Sequence, residues 1–243
     1  MRQVATLRDA LRRRGHAPPL VIAHRGAAAL APENSLAALE AGVAAGADLV
    51  EFDVSPGLLV AHSPEEAGPA PLALDDALAF LARHDVGLHV DVKERGYEAE
   101  VLAALRRHDL VARAVISTAW AGTARAFAQL EPALPRAIGY PRDRYGASGL
   151  PWPQPVTLAG AALLRAVTPL RVPPLLRWAR ADVLSLHHTL CSAAAVAVAH
   201  RRGAPVLGWT ANDAAAVRRL AAAGVDAIVS DDPAMARAAL GGA

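Results

Sequence analysis

Two pairs of charged residues interrupt otherwise apolar runs at a spacing of two. Glu51 and Asp53 lie in DLVEFDV (48–54), and Asp91 and Lys93 in VGLHVDVK (86–93). In an extended strand, residues two apart point to the same face, so each pair presents its charges together. His24 and Arg25 close a third apolar run, LVIAH (20–24), and His62 follows a fourth, LLVA (58–61). Burying unpaired charge costs several kcal/mol. These side chains therefore form either structural ion pairs, such as Asp91 with Arg25, or a working site. Three carboxylates brought together repel one another and partly protonate unless a cation sits among them. Oxygen donors without cysteine favour a hard divalent ion, Mg²⁺ or Ca²⁺. Arg25 and Lys93 suit an anion with delocalised charge, and the arginine fork matches a phosphate. Lys93 is the only lysine among 25 basic residues. Two histidines titrating near neutrality complete an acid and a base. The set describes metal-assisted hydrolysis of a phosphate ester.

The elements that must carry these residues follow from hydrophobic periodicity. Eight short apolar runs read as strands: 20–24, 48–54, 86–93, 113–117, 136–140, 182–186, 205–209 and 225–230. They are apolar on both faces, as parallel strands between layers must be. Amphipathic stretches at 35–45, 73–84, 97–108, 121–130, 192–202, 213–223 and 234–240 read as helices. Asn34-Ser35, Asp213 and Asp232-Pro233 supply N-terminal caps, and Gly46, Gly203 and Gly224 supply C-terminal ones. Eight βα units in 243 residues predict a single (β/α)₈ TIM barrel over 1–243, with an open doubly wound sheet as the rival. In a barrel the carboxyl ends of the strands ring the active site, which would bring the charged residues to one mouth. Residues 1–19 read as an N-terminal helical extension under the barrel. The Pro-rich stretches 141–155 and 168–174 read as long connections, either over the mouth or as surface excursions.

Composition narrows the function classes. Hydrophobic residues make up 53% of the chain, enough for a packed core and too many for a disordered one. No run of about 18 apolar residues predicts a membrane span, and the first twenty residues lack a secretory apolar core. The one cysteine, Cys191, forms no internal disulfide and reads as a small apolar helix residue, and a reduced, cytoplasmic location fits. Twenty-five basic residues nearly balance 23 acidic ones, and aromatics are 4%, so a nucleic-acid partner is not expected. The composition sets no oligomeric state.

The stretch HRGAAALAPENSLAALEAGVAAGADLVEFDV (24–54) resembles the opening signature of the glycerophosphodiester phosphodiesterases: HRG, PEN with Ser or Thr, an Ala-rich helix, then GAD-x-x-E-x-DV. GWTANDAAAVRRLAAAGVDAIVSDDP (208–233) resembles the family's closing segment, while 113–200 matches only in rhythm. The resemblance implies a TIM barrel and metal-dependent hydrolysis of a small-molecule glycerophosphodiester to glycerol 3-phosphate and an alcohol. It implies catalytic roles for His24 and His62 and phosphate binding by Arg25. Glu51, Asp53 and Asp91 become the metal ligands. Lys93 falls on the family's lysine, two residues after the third acid. Glu33 of PEN would support the site, and Trp209 would wall it near the leaving group, unless it is an ordinary core aromatic.

The chain also departs from the pattern. Ser63 stands where the family has Asp, Asp91 where it has Glu, and Ser55-Pro56-Gly57 where an Asp-Gly turn is usual. The insertion after the second strand is reduced, which implies a more open mouth. Two alternatives stay open: a phospholipase C- or D-like reaction through a cyclic phosphate, and a catalytically weakened barrel that binds phosphorylated ligands. His89, one layer deeper than Asp91 on the same strand face, reads as a satisfied core histidine or as a support to the site. At least one of His187 and His188 is expected to face the mouth, and Thr118 and Trp120 fall near a Ser-Phe pair of the family, in a register the sequence leaves open.

Overall fold

A computed structural model describes the backbone of residues 11, 17–142 and 154–241. Eight parallel strands close into a barrel in strict chain order, each bonded to the next and β8 back to β1. They are β1 (Leu20–Ala23), β2 (Leu49–Val54), β3 (Gly87–Val92), β4 (Ala114–Thr118), β5 (Arg136–Tyr140), β6 (Val183–His187), β7 (Val206–Trp209) and β8 (Ala227–Ser230). Each matches a predicted run to within two residues, and the open-sheet alternative falls away. Among the described residues eight α-helices surround the strands: α1 (Leu36–Ala44), α2 (Leu74–Leu81), α3 (Glu98–Arg107), α4 (Ala121–Leu130), α5 (Gln154–Ala179), α6 (Ala193–Arg201), α7 (Ala214–Ala223) and α8 (Pro233–Gly241).

Alternation along the strands divides the core into two layers. Val50, Phe52 and Val54 of β2 and Leu88, Val90 and Val92 of β3 pack against the helices. The opposite faces fill the barrel, with Ile22, Leu49, Val115, Val183 and Leu207 in one buried cluster. Leu11 is fully buried in that cluster; the rest of the expected extension, apart from residues 17–19, lies outside the described residues. The register sets Asp53 beside Asp91 and Asp91 beside Ser117, so the polar residues stand abreast at the carboxyl ends.

Local signals act as expected at most helix ends. Ser35 and Asp213 accept backbone N–H groups from Ala38 and Ala216, and Asp232 accepts from Met235. The stretch 168–174 departs from expectation: it is part of α5, which runs through Pro169, Pro173 and Pro174. Each proline removes one helical donor. Thr168, Val172, Leu176 and Ala179 nevertheless repeat at helical spacing and are all buried, so packing overrides the breakers. Of the stretch 141–155, residues 143–153 lie outside the described residues.

The HRG turn is held by close backbone contact. Gly26 is left-handed (φ 93°), and a Cβ on Gly42 of α1 would lie 2.0 Å from the Gly26 carbonyl oxygen. Helix α1 therefore rests directly on the turn that aims His24 and Arg25. Gly42→Ala should destabilise the protein by about 1–3 kcal/mol, read as a lower midpoint in chemical denaturation; an unchanged midpoint would show that the contact is not a constraint.

Candidate functional site

Acidic residues from two adjacent strands meet at the barrel mouth. One oxygen from each of Glu51, Asp53 and Asp91 lies within 4.8 Å of the others. Each carboxylate is held separately. Glu51 Oε2 accepts the Arg25 backbone N–H at 2.6 Å. Asp53 and Asn34 bond reciprocally: Asn34 Nδ2 donates to Asp53 Oδ2 at 2.9 Å, and the Asp53 N–H donates to Asn34 Oδ1 at 3.0 Å. Ser117 Oγ donates to Asp91 Oδ1 at 2.6 Å. Lys93 Nζ spans the pair, 2.6 Å from Asp53 Oδ1 and 2.5 Å from Asp91 Oδ2. Trp120 Nε1 donates to the Lys93 carbonyl at 2.8 Å, fixing the strand end that carries the ammonium.

Beside them stand the groups from the end of β1, the neighbouring strand, and from the loop after β2. His24 Nδ1 lies 2.5 Å from Asp231 Oδ1. Asp231 is clamped as Asp53 is, with its N–H on Asn212 Oδ1 at 3.0 Å and Asn212 Nδ2 on its other oxygen. Arg25 pairs with Glu33 (Nη1 to Oε1, 2.7 Å) and approaches Asp53 (Nε to Oδ2, 3.3 Å). His62 Nδ1 is 3.3 Å from Arg25 Nη2 and 3.5 Å from Asp53 Oδ2. The ion pairs are thus Arg25 with Glu33 and Asp53, and Asp91 with Lys93, rather than Asp91 with Arg25. These groups open on a cavity of about 610 Å³. His24, Arg25, Glu51 and His62 line one side of it; Asp91, Lys93 and Trp209 also reach the lining. Asp53 is fully buried behind that surface, and Glu33 lines a neighbouring cleft.

The charge balance is uneven. Burial, and then the charge of Asp53, pushes the Glu51 carboxyl up to about 8. Burial alone would raise Asp53 too, but a hydrogen bond from His62 and the charges of Lys93 and Arg25 outweigh it and hold Asp53 well below the usual carboxylate range. Asp91 is lowered likewise, its burial offset chiefly by Lys93. Burial works against protonated Lys93, yet Asp91, Asp53 and Glu51 hold its pKa above the ordinary value. His24 is also raised: burial opposes its protonation, and the Asp231 hydrogen bond and the Glu51 charge prevail. Glu51 therefore holds its proton more tightly than a free carboxyl does. A cation among the three acids would displace that proton, and an all-oxygen donor set fits a hard divalent one.

Some expectations require correction. His89 is buried, but among the described residues neither ring nitrogen has a hydrogen-bond partner; it lines the cavity, and burial pushes its pKa down to about 4. The expectation of a histidine from the end of β6 at the mouth needs no correction: His187 shares the strand face of Ser185, which lines the cavity. His187 packs edge-on against Trp209 with ring centres 5.2 Å apart and bonds Thr189. Cys191 is buried just before α6, outside any helix. Thr118 and Trp120 do reach the cavity. Asp231, Asn212 and Ser117 escaped the sequence reading, which took Asn34 only as part of a helix cap. A faint signal existed: PEN and WTAN both end in Asn, and each Asn lies 19 residues before the Asp it clamps.

The Asp231 contact carries a pH signature. A raised histidine pKa contributes stability that is complete below the unfolded value and lost as pH rises through the folded one. Asp231→Asn should therefore lower the His24 pKa and remove that contribution near and below neutrality, followed by NMR titration of the His24 ring. An unchanged pKa would remove Asp231 as its cause.

The geometry can be set beside known proteins. The model of the "Glycerophosphoryl diester phosphodiesterase family" matches residues 24–56 and 90–235. The unmatched stretch between them contains His62 and the shortened loop after β2. The chain is 26% identical to the Arabidopsis thaliana glycerophosphodiester phosphodiesterase GDPD4, over 90% of this chain and 73% of that one. The Oleispira antarctica phosphodiesterase solved with its product sn-glycerol-3-phosphate shares the fold at a TM-score of 0.70 and 22% identity, covering 92% and 97% of the two chains. A glycerophosphodiester phosphodiesterase from Parabacteroides distasonis gives 0.72 at 18% identity, covering 94% and 99%. With a family model spanning well over half its length, the chain belongs to the glycerophosphoryl diester phosphodiesterase family, whose members are phosphoric diester hydrolases.

Proposed function

We propose that this protein is a single-domain, cytoplasmic hydrolase that cleaves glycerophosphodiesters to glycerol 3-phosphate and an alcohol. The observation that carries the reading is the convergence of two imidazoles, a guanidinium, an ammonium and two carboxylates on one cavity, with the third carboxylate, Asp53, buried directly behind them. Glu51, Asp53 and Asp91 would hold Mg²⁺ or Ca²⁺. When bound, such an ion neutralises phosphate charge and favours deprotonation of the attacking oxygen.

The chain's own groups supply the rest. Arg25 meets the phosphate oxygens, its fork aimed by Glu33 and Asp53. Lys93, which pairs with the other oxygen of Asp53, adds a second positive charge beside it. His24, whose Nδ1 is engaged by Asp231, gives the proton on Nε2 to the departing alkoxide. His62 takes the proton of the attacking water or hydroxyl. Trp209 walls the alcohol side. The shorter Asp91 carboxylate is drawn in by Ser117 and Lys93 and still reaches the other two acids. Among the described residues, no helix is long and apolar enough to cross a membrane, in keeping with a small-molecule substrate met outside the bilayer core.

An enzymatic assay for glycerol 3-phosphate over a panel of glycerophosphodiesters tests this directly. Turnover should require Mg²⁺ or Ca²⁺ and stop on chelation. His24→Ala and His62→Ala should each lower kcat by a factor on the order of 10²–10⁴ with the fold retained; full activity in either variant removes that histidine from the reaction. Glu51→Gln should weaken metal binding measured by calorimetry, and wild-type affinity in that variant would exclude Glu51 as a ligand. Phosphorus NMR of early products should show no cyclic ester, and its appearance would turn the reading to the phospholipase-like route.

A further inference from the structure

The catalytic cavity continues past its rim. Between the ends of β4 and β5 it shares Ala119, Gly139, Pro141 and Arg142 with a second cleft of about 410 Å³. That cleft runs between the end of β5 and helix α5, and its walls are largely apolar: Ile138, Tyr140, Leu164, Leu175 and Trp178. No carboxylate lines it among the described residues, and its charged lining is Arg142 and Arg171, the latter bonded to the Tyr140 hydroxyl at 2.8 Å. A third cleft, on the far side of His62, is the opposite in character and is lined by Glu33, Glu66 and Asp76. A phosphate beside Arg25 and Lys93 therefore has one acidic neighbour and one apolar neighbour.

We infer that the apolar cleft binds the hydrocarbon chain of an amphiphilic phosphodiester, a glycerophosphodiester that retains one acyl or alkyl chain. The inference rests on the phosphodiester reading of the cavity. Continuity selects this occupant, because the cleft opens onto the phosphate position and a chain entering it belongs to the molecule whose phosphate lies there. The wall chemistry agrees: a cationic headgroup would meet two arginines and no carboxylate, whereas a hydrocarbon meets leucine and tryptophan side chains. Helix α5 extends the same character outward. Leu170 is 79% and Trp178 61% exposed, and its sequence holds arginines and no acidic residue. That combination suits an amphiphile's surface better than bulk water. The chain takes no part in the chemistry, in which water adds across one P–O ester bond and the departing oxygen receives a proton.

Calorimetric titration of the full-length protein with butyl, hexyl and octyl phosphate, each below its micelle concentration, tests the inference. A half-buried methylene should tighten Kd about twofold, so each step of two carbons gives about fourfold. Leu164→Asn with Leu175→Gln should flatten the series; both side chains are partly exposed, and circular dichroism checks the fold. The single variant Leu164→Asn should reduce the slope on its own. A Kd independent of chain length, or a slope that survives the double variant, overturns the assignment. Turnover of a chainless glycerophosphodiester judges the functional reading separately: its absence would sink that reading, while the alkyl series would still decide what the cleft binds.

Discussion

Three carboxylates on two adjacent strands can persist in a barrel mouth only if positive charge is brought to them from elsewhere. Lys93 lies just past the end of the strand that carries Asp91, Arg25 arrives from the end of β1, and His62 from the loop after β2. Even so Glu51, buried and beside Asp53, keeps a raised pKa, so its ionised form lacks a matching charge. A divalent ion held there would supply that charge and would leave positive charge facing an anionic substrate.

Short polar clamps hold this charge cluster in place. Asn34 holds Asp53 through both side-chain and backbone bonds, and Asn212 holds Asp231 in the same way. Each clamp ties the loop after one strand to the end of the next. The two acids so fixed serve different partners: Asp53 faces the cationic side chains, and Asp231 fixes the ring of His24. Such supporting bonds hold reacting groups within tenths of an ångström, where proton transfer and charge stabilisation depend on position. The Gly26–Gly42 contact gives the same service to the backbone, since no side chain fits between turn and helix.

The surroundings of the cavity are asymmetric. Acidic residues border it beyond His62, and apolar ones beyond β4 and β5. Discrimination among phosphodiesters would then come from what lies to either side of the phosphate, because the charged centre recognises only the group that all of them share.

Much of this was legible in the amino-acid order. The period of two in VEFDV and HVDVK fixed which charges share a face, and eight apolar runs with intervening helical patterns fixed the barrel, because these signals are local and strong. The HRG and PEN motifs marked Arg25 and its partner Glu33. Other features depended on contacts between distant segments. Asp231 lies 207 residues from His24 along the chain, and only barrel closure, with β8 against β1, brings them together. Helix α5 runs through three prolines because its buried face repays the lost hydrogen bonds, a balance that local propensity misreads. His89 has the same neighbours in sequence whether its nitrogens are satisfied or not; the register that sets it beside Glu51 decides that they are not. Residue types and spacing thus determined the chemistry available to this protein. Tertiary structure decided which groups meet and what borders them, since meeting is a matter of closure and register rather than of composition.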